Sequence, residues 1–395
     1  MSRSLPKLVL PRLVPRSAPI ILLVLTLAAV SGFAAVGHLV ARYNANQQSR
    51  GRKLYAQGLA AVSAGRYDDA IDAFRAALTS DPTNSQYQLS LARALRDSND
   101  PRRLEDAESY LLALWQRAPQ DAAVNLALAR VAARRDSIED ATRYYHNAMY
   151  GVWTSDSDAN RIKARIELIE FLLKKNAIAN AQSELVALAT GLPPNPAAHL
   201  QAAQLFEQAQ DYRGALTQYQ EALGHDPGNW YALAGAGDAA FRSGNYDAAH
   251  RYLDLAVKAN PQDTNSRQLL ATTDLVLRSN PFRSHISDAE RNRRITAAFN
   301  QAEKRLTECA QQSGVDLNPT GSTRASPLSD LQARWMAAKP SLVLLLSPAE
   351  TDLPDEIMDV VFHIEQQTAA TCGPPPQGLD LALLLTSRER QAEVR

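Results

Sequence analysis

Two cysteines and seven histidines are the side chains of this 395-residue sequence best equipped for redox, acid–base or metal chemistry. Cys309 ends an apolar stripe of Ile295, Ala298, Phe299, Ala302 and Leu306, and Cys372 continues a second stripe of Ile357, Val361, Ile364 and Thr368. Spacings of three and four place each stripe on one helix face. Two such helices packing together could join Cys309 and Cys372 as a disulfide in an oxidising compartment, or leave two buried thiols that act as small apolar groups. A bridge would enclose a long loop and add stability on the order of 4 kcal/mol. Neither cysteine has a second cysteine or a histidine at ligand spacing, so no metal site is expected. The histidines (His38, His146, His199, His225, His250, His285, His363) are scattered, and His363 and Glu365 fall on different faces of one helix, not as an acid–base pair. The sequence contains no Gly-x-Ser-x-Gly elbow, phosphate-binding glycine loop, His-Glu-x-x-His or Cys-x-x-Cys. We therefore expect no catalytic residue, no cofactor and no small-molecule substrate.

The elements that would position any site follow from a six-fold echo. Tyr67, Ala70, Phe74, Ala77 and Pro82 recur as Leu104, Ala107, Leu111, Leu114 and Pro119, then as Ile138, Ala141, Tyr145 and Ala148. The pattern returns as Ile178, Ala181, Leu185, Leu188 and Pro193, as Tyr212, Ala215, Tyr219, Ala222 and Pro227, and as Tyr246, Ala249, Leu253, Ala256 and Pro261. The alanines step by 37, 34, 40, 34 and 34 residues. A small residue followed by apolar residues at +4 and +7, at such a period, marks a helix-turn-helix unit too small to bury its own apolar face, so neighbours must stack. Proline ends each second helix. Two anomalies are local: a turn cluster at Ser98-Asn99-Asp100-Pro101, and a longer joint at Gly151–Asp158, where Trp153 stands in place of the proline. Trp153 and Trp230 are expected to cover joints, and Phe74, Tyr145 and Tyr219 to be core.

These units resemble tetratricopeptide (TPR) repeats, with Gly58 and Gly65 before the first core and Gly237 and Gly244 before the last. The resemblance covers roughly residues 51–262 and implies an all-α fold, a right-handed α-solenoid of helix hairpins. It also implies a binding groove lined by the first helix of each pair, for an extended peptide or a protein surface. The family's groove positions fall on Arg93, Arg96, Arg130 and Arg134 toward one end, and on Glu170, Glu207 and Asp238, with Tyr231 and Phe241 nearby, toward the other. The alternative for these residues is a solvated helix face. The asparagine of the carboxylate-clamp members is replaced by Leu59, Arg93, Arg130, Glu170, Gln204 and Asp238, which counts against that binding mode.

Charge is balanced at 42 cations and 42 acids, which argues against a nucleic-acid-binding chain. Residues 20–41 carry no charged side chain, and at 1.5 Å per residue span about 33 Å, enough for a hydrocarbon core of about 30 Å. Arg3, Lys7, Arg12 and Arg16 precede this stretch without an acid and favour an N-terminus in the cytoplasm. Without these four and Arg42, 37 cations face 42 acids. The expected layout is a basic cytoplasmic tail (1–18), a transmembrane anchor (19–42) in the inner membrane of a bacterium, six TPR-like repeats (51–262) on the extracytoplasmic side in the periplasm, capping helices (263–312) and a C-terminal helical extension with Pro-rich loops (313–395). Within the last two, Thr264–Ser279 reads as a helix, Ser287 and Glu290 as a capping box, and Ser326-Pro327 and Pro354 as helix starts. The leading functional expectation is a non-enzymatic protein-interaction scaffold for envelope assembly, secretion or polymer export. The alternatives are a soluble exported chaperone-like module, freed by cleavage of residues 1–37, and an enzyme subunit with a site in 313–395.

Overall fold

The computed structural model describes residues 18–98, 100–318, 326–345 and 352–393. The basic tail with Arg3, Lys7, Arg12 and Arg16 lies outside them. The described residues are helical, with no β-strand and a single isolated bridge between Asp121 and Val152. The chain divides into two compact units, the first ending at Ala164 and the second beginning at Arg165.

The first unit begins with α1 (Ala18–Ser63), followed by α2 (Tyr67–Ser80), α3 (Ser85–Asp97), α4 (Arg103–Arg117), α5 (Ala122–Arg134) and α6 (Ile138–Tyr150). Anchor and first repeat are expected as separate segments, but α1 runs unbroken through both. Its residues Ile21 to Val40 are exposed along their length, with Phe33 84% exposed, whereas Ala61 is buried in the repeat core. An apolar surface of this extent on a 43-residue candidate span has no partner among the described residues. Gly58 lets α1 meet α2 closely, since a Cβ there would sit 2.4 Å from the Phe74 ring. Phe74, Leu91, Leu95, Leu111 and Leu128 form the core of the unit.

The helix α7 (Ser157–Lys174) holds the division between units. The second unit continues through α8 (Ile178–Ala189), α9 (Pro196–Gln208), α10 (Tyr212–His225), α11 (Trp230–Arg242), α12 (Tyr246–Ala259) and α13 (Thr264–Ser279). It ends with α14 (Asp288–Ser313), α15 (Pro327–Ala338), α16 (Ser341–Leu344), α17 (Leu353–Cys372) and α18 (Gly378–Glu393).

First helices start by one recurring device. Each proline is followed two residues later by Asn or Asp: Asn84, Asp121, Asn195, Asn229 and Asp263. Each of these side chains accepts from backbone N–H groups in the first turn, as Asn84 Oδ1 does from Gln86 and Tyr87 at 3.1 and 3.2 Å. The proline fixes the approach and the Asx side chain satisfies the orphan donors. Where the proline is missing, Trp153 Nε1 donates to the Ala148 carbonyl at 2.9 Å, and Val152 pairs with residues Gln120 and Ala122. Trp153 thus covers its joint.

The long helix expected to close the repeats is placed differently. α14 is the centre of a separate core in which Phe299, Leu306, Trp335, Ile357 and Val361 are buried. The face of α13 is covered instead by α18, through Val276, Ala382 and Leu385. α14 touches the end of α13 through Arg294, which donates to the carbonyls of Leu277 and Asn280 at 3.3 and 2.8 Å. At its own start only half of the expected capping box forms. Ser287 Oγ accepts from the Glu290 N–H at 3.2 Å, while the Glu290 carboxylate turns to Arg293 and Arg294.

Within the hairpins, the turn between the two helices needs one left-handed residue. Gly65 and Gly244 supply it at φ 71° and 80°, but Asp136, Asn176 and Gln210 do so at 60°, 56° and 58°. A Cβ in this region costs about 1–2 kcal/mol, and Asp and Asn offset part of it by local hydrogen bonding where Gln cannot. Gln210 is exposed. Gln210→Gly is therefore expected to raise stability by about 0.5–1 kcal/mol, net of glycine's larger unfolded-state entropy. Thermal unfolding checks this, and an unchanged or lower midpoint would show that the turn carries no strain.

Candidate functional site

In the first unit, Arg93 and Arg96 project from α3, and Arg130 and Arg134 from α5. Ala94, Leu95, Ala129 and Val131 beside them are buried, which fixes the arginines at the helix surface. The structure brings all four together but gives them two roles. Arg96 is only 9% exposed and grips its neighbour Asp97 through two bonds of 2.8 and 2.6 Å. Arg134 Nη2 lies 3.5 Å from the same carboxylate, and Nη1 donates to the Arg96 carbonyl. This pair ties α3 to α5. Arg93 lies within electrostatic range of Arg130, and burial, then Arg130 and Arg96, lower its pKa below the usual guanidinium value. Arg93 Nε and Arg96 Nη1 are enclosed without a hydrogen-bond partner among the described residues. Four guanidinium groups face the carboxylates of Asp97 and Asp121, which leaves an excess of positive charge suited to anionic groups.

The second unit holds a cleft of about 400 Å³ lined by Glu207, Tyr219, Tyr231 and Asp238. Trp230, Asp263 and the amides of Asn260, Gln262 and Asn265 complete its wall. Trp230, expected to cover a joint, is instead 45% exposed and stands edge-to-face with Tyr231, ring centroids 5.9 Å apart. Tyr231 is held by Gln204, whose Nε2 donates to the phenol oxygen at 2.7 Å. The floor is Tyr219, which is buried. A Cβ on Gly235 would come within 2.3 Å of its ring, so the absence of a side chain there admits the tyrosine. The Tyr219 hydroxyl donates to Glu207. Burial, and then Glu207, keep the phenol protonated well above its ordinary range. Burial raises the Glu207 pKa, Asp238 adds to the rise, and the Tyr219 bond opposes it. Asp238 pairs with Arg242 at 2.7 Å. Asp263 is held below the usual carboxylate range by the Ser266 hydroxyl and backbone N–H groups.

Two groove residues expected from sequence lie elsewhere. Glu170 is exposed on α7 and does not line the cleft. Phe241 packs among Tyr246, Leu269 and Leu270 and stabilises the joint between α11, α12 and α13, with its ring 5.6 Å from that of Tyr246. Conversely, Trp230, Tyr219 and Asp263 belong to the cleft. For Asp263 a signal was present, since it follows Pro261 at the same offset as the other helix-capping residues.

A third cluster holds the C-terminal helices. Cys309 on α14 and Cys372 at the end of α17 are joined as a disulfide, Cα atoms 5.7 Å apart. Arg305 Nη2 donates to the Gly373 carbonyl at 2.6 Å beside it. Next to these, Glu365 is fully buried and neither carboxylate oxygen has a hydrogen-bond partner among the described residues. Burial, then the nearby Asp380, push its pKa up to about 8, against the opposing pull of Arg305. Asp380 is itself raised by burial, with Gln301 and Arg305 opposing. Among the described residues no group of three or more His, Cys, Asp or Glu side chains could hold a metal.

The comparisons with known proteins follow the same geography. Residues 52–159 match a family described as the cytochrome c-type biogenesis protein H TPR domain, and residues 206–272 match a tetratricopeptide repeat family. The chain carries tetratricopeptide repeats over these two stretches. Among solved structures it is similar to PilF of Pseudomonas aeruginosa, with 17% identity over 57% of this chain and 99% of that one and a TM-score of 0.38. It is also similar to PilW, a type IV pilus biogenesis factor, with 17% identity over 56% and 98% and a TM-score of 0.38. A third is YrrB, a TPR protein with an unusual peptide-binding site, with 18% identity over 50% and 98% and a TM-score of 0.36. No curated protein matches the chain.

Two outcomes follow from the C-terminal cluster. Reductant, or Cys309→Ala with Cys372→Ala, should lower unfolding stability on the order of 4 kcal/mol, read by denaturant titration. Full alkylation of the untreated protein by a thiol reagent would show that no bridge forms. Glu365 has a folded pKa above its unfolded value. Its stabilising contribution is complete below about 4.5 and is lost as pH rises through about 8. Glu365→Gln should therefore gain on the wild type by up to several kcal/mol between pH 5 and pH 9 in thermal melts. Parallel pH profiles for the two proteins would exclude an ionisation cost at this position.

Proposed function

We propose that this chain is a non-enzymatic scaffold, anchored in the inner membrane by α1 and holding a protein or extended peptide against its repeats on the extracytoplasmic side. The task that fits is assembly of the envelope, secretion or polymer export. The observation that carries the reading is the Arg93 and Arg130 pair on successive first helices. Like charges are packed together, one guanidinium is partly desolvated, and its enclosed Nε lacks a partner among the described residues. The repulsion and the enclosed Nε of Arg93 cost stability, and an acidic segment of a partner would relieve both. The match of residues 52–159 to a TPR domain of a biogenesis protein supports an assembly role.

Anchoring is supported by the exposed apolar length of α1 and by the basic residues upstream of it, which favour an N-terminus in the cytoplasm. Because α1 is continuous, Gly51 in the first hairpin lies about 14 Å along the axis from Arg42 at the end of the span. The first repeat is thus held near the bilayer surface without a flexible tether.

Crosslinking in intact cells, followed by identification of the captured protein, is the decisive measurement. Arg93→Glu with Arg130→Glu should reduce capture about tenfold or more, while circular dichroism stays unchanged. Undiminished capture would reject the basic face as the contact. Extraction with alkaline carbonate should leave the protein in the membrane. Release, together with a mature N-terminus near residue 38, would replace the anchor by a cleaved signal.

A further inference from the structure

The cleft of the second unit carries more specific information than its role as a groove. Its exposed walls are Trp230 and Tyr231, at 45% and 43% exposure. Aromatic surface left open to solvent beside a concavity is unusual for a residue pair that could pack inward. Three carboxylates, Glu207, Asp238 and Asp263, open onto the same space. Among the described residues, Arg242 is bound to Asp238 and lies over the Tyr212 ring at 5.5 Å, and Arg267 acts on Asp263, so two cations face three carboxylates. Glu207 is half-buried, takes one hydrogen bond from Tyr219 and faces the like charge of Asp238. The cleft therefore holds a surplus of negative charge beside exposed aromatic faces. Around it, Asn260, Gln262 and Asn265 offer both donors and acceptors.

We propose that this cleft binds an extended peptide by receiving a lysine or arginine side chain against the exposed faces of the contiguous Trp230 and Tyr231 rings and against Glu207 and Asp238. The aromatic faces attract a cation over the ring, and the carboxylates accept its N–H donors. The side-chain amides match the alternating N–H and C=O groups of an extended backbone. A choline-type headgroup fits less well. It has no N–H to give to three carboxylate acceptors, and the cleft is an open trough and not a closed aromatic cage. The assignment rests on the scaffold reading but uses residues of the second unit, whereas that reading is carried by Arg93 and Arg130.

The test is fluorescence anisotropy of the full chain in detergent micelles with labelled twelve-residue Gly-Ser peptides carrying lysine, norleucine, glutamate or trimethyllysine at two positions. The lysine peptide should bind about tenfold or more tightly than the norleucine and glutamate peptides, and should weaken as salt is raised. Trimethyllysine keeps the charge but removes the donors, and is expected to bind several-fold more weakly. Glu207→Gln, Asp238→Asn and Trp230→Ala should each reduce lysine-peptide affinity about tenfold, and Arg93→Glu should leave it unchanged. Equal binding of lysine and norleucine, or affinity untouched by Glu207→Gln and Asp238→Asn, overturns the proposal. Trimethyllysine binding as tightly as lysine also overturns it, in favour of a quaternary-ammonium site. Undiminished partner capture by the Arg93→Glu, Arg130→Glu variant, with lysine-peptide binding intact, would reject the basic-face reading and leave this site standing. The reverse result would remove this site alone.

Discussion

Close approach of helices at small residues is the constraint from which the rest of this molecule follows. Ala70, Ala107, Ala141, Ala181, Ala215 and Ala249 are all fully buried, and the larger residue four positions on is buried beside each. A methyl group at these points lets two backbones come near enough for Phe74, Leu111, Tyr145, Leu185, Tyr219 or Leu253 to fill the neighbouring gap. Glycines extend the device, as where Gly237 faces Leu253 with space for no Cβ. A larger side chain at any of these positions would separate the helices and open a void that the partner cannot refill. Because each hairpin is too thin to bury its apolar face alone, the packing must pass from one repeat to the next.

That packing leaves the first helices with a face that the core does not use. In the first unit the unused face carries arginines, and in the second it carries carboxylates with exposed aromatic rings. Neither arrangement serves folding well. Desolvated guanidinium groups repel each other around Arg93, and Glu207 is raised above its ordinary range because burial and Asp238 oppose its ionisation. Residues that cost stability where small changes would relieve them are the ground on which recognition is proposed for these two faces. Arg96, Arg134 and Phe241 show the contrast. They sit at groove positions, yet their contacts are internal and tie neighbouring helices together.

The C-terminal helices have a different logic. They have their own core around Phe299, Leu306 and Val361, stitched by the disulfide, and they return α18 to cover the last repeat helix. Glu365 lies within this core, four residues after Val361 and three before Thr368. Its place on the buried stripe could be read from spacing. Its lack of a hydrogen-bond partner among the described residues could not, because that depends on which groups α14 and α18 present to it.

The period of the alanines, the prolines that stop second helices and the apolar length of residues 20–41 are written in local spacing, so the sequence by itself determined the helical hairpins and the candidate span. The helix Thr264–Ser279 and the starts at Pro327 and near Pro354 were legible for the same reason, since capping and proline geometry act within a few residues. The tertiary structure alone decided what depends on distant neighbours. It merged the span and the first repeat into one helix, chose α18 over α14 to cover α13, and left Trp230 exposed while drawing Phe241 inward. Periodicity specifies which face of a helix is buried, but not which element buries it. That choice is made by shape and charge contributed from far along the chain.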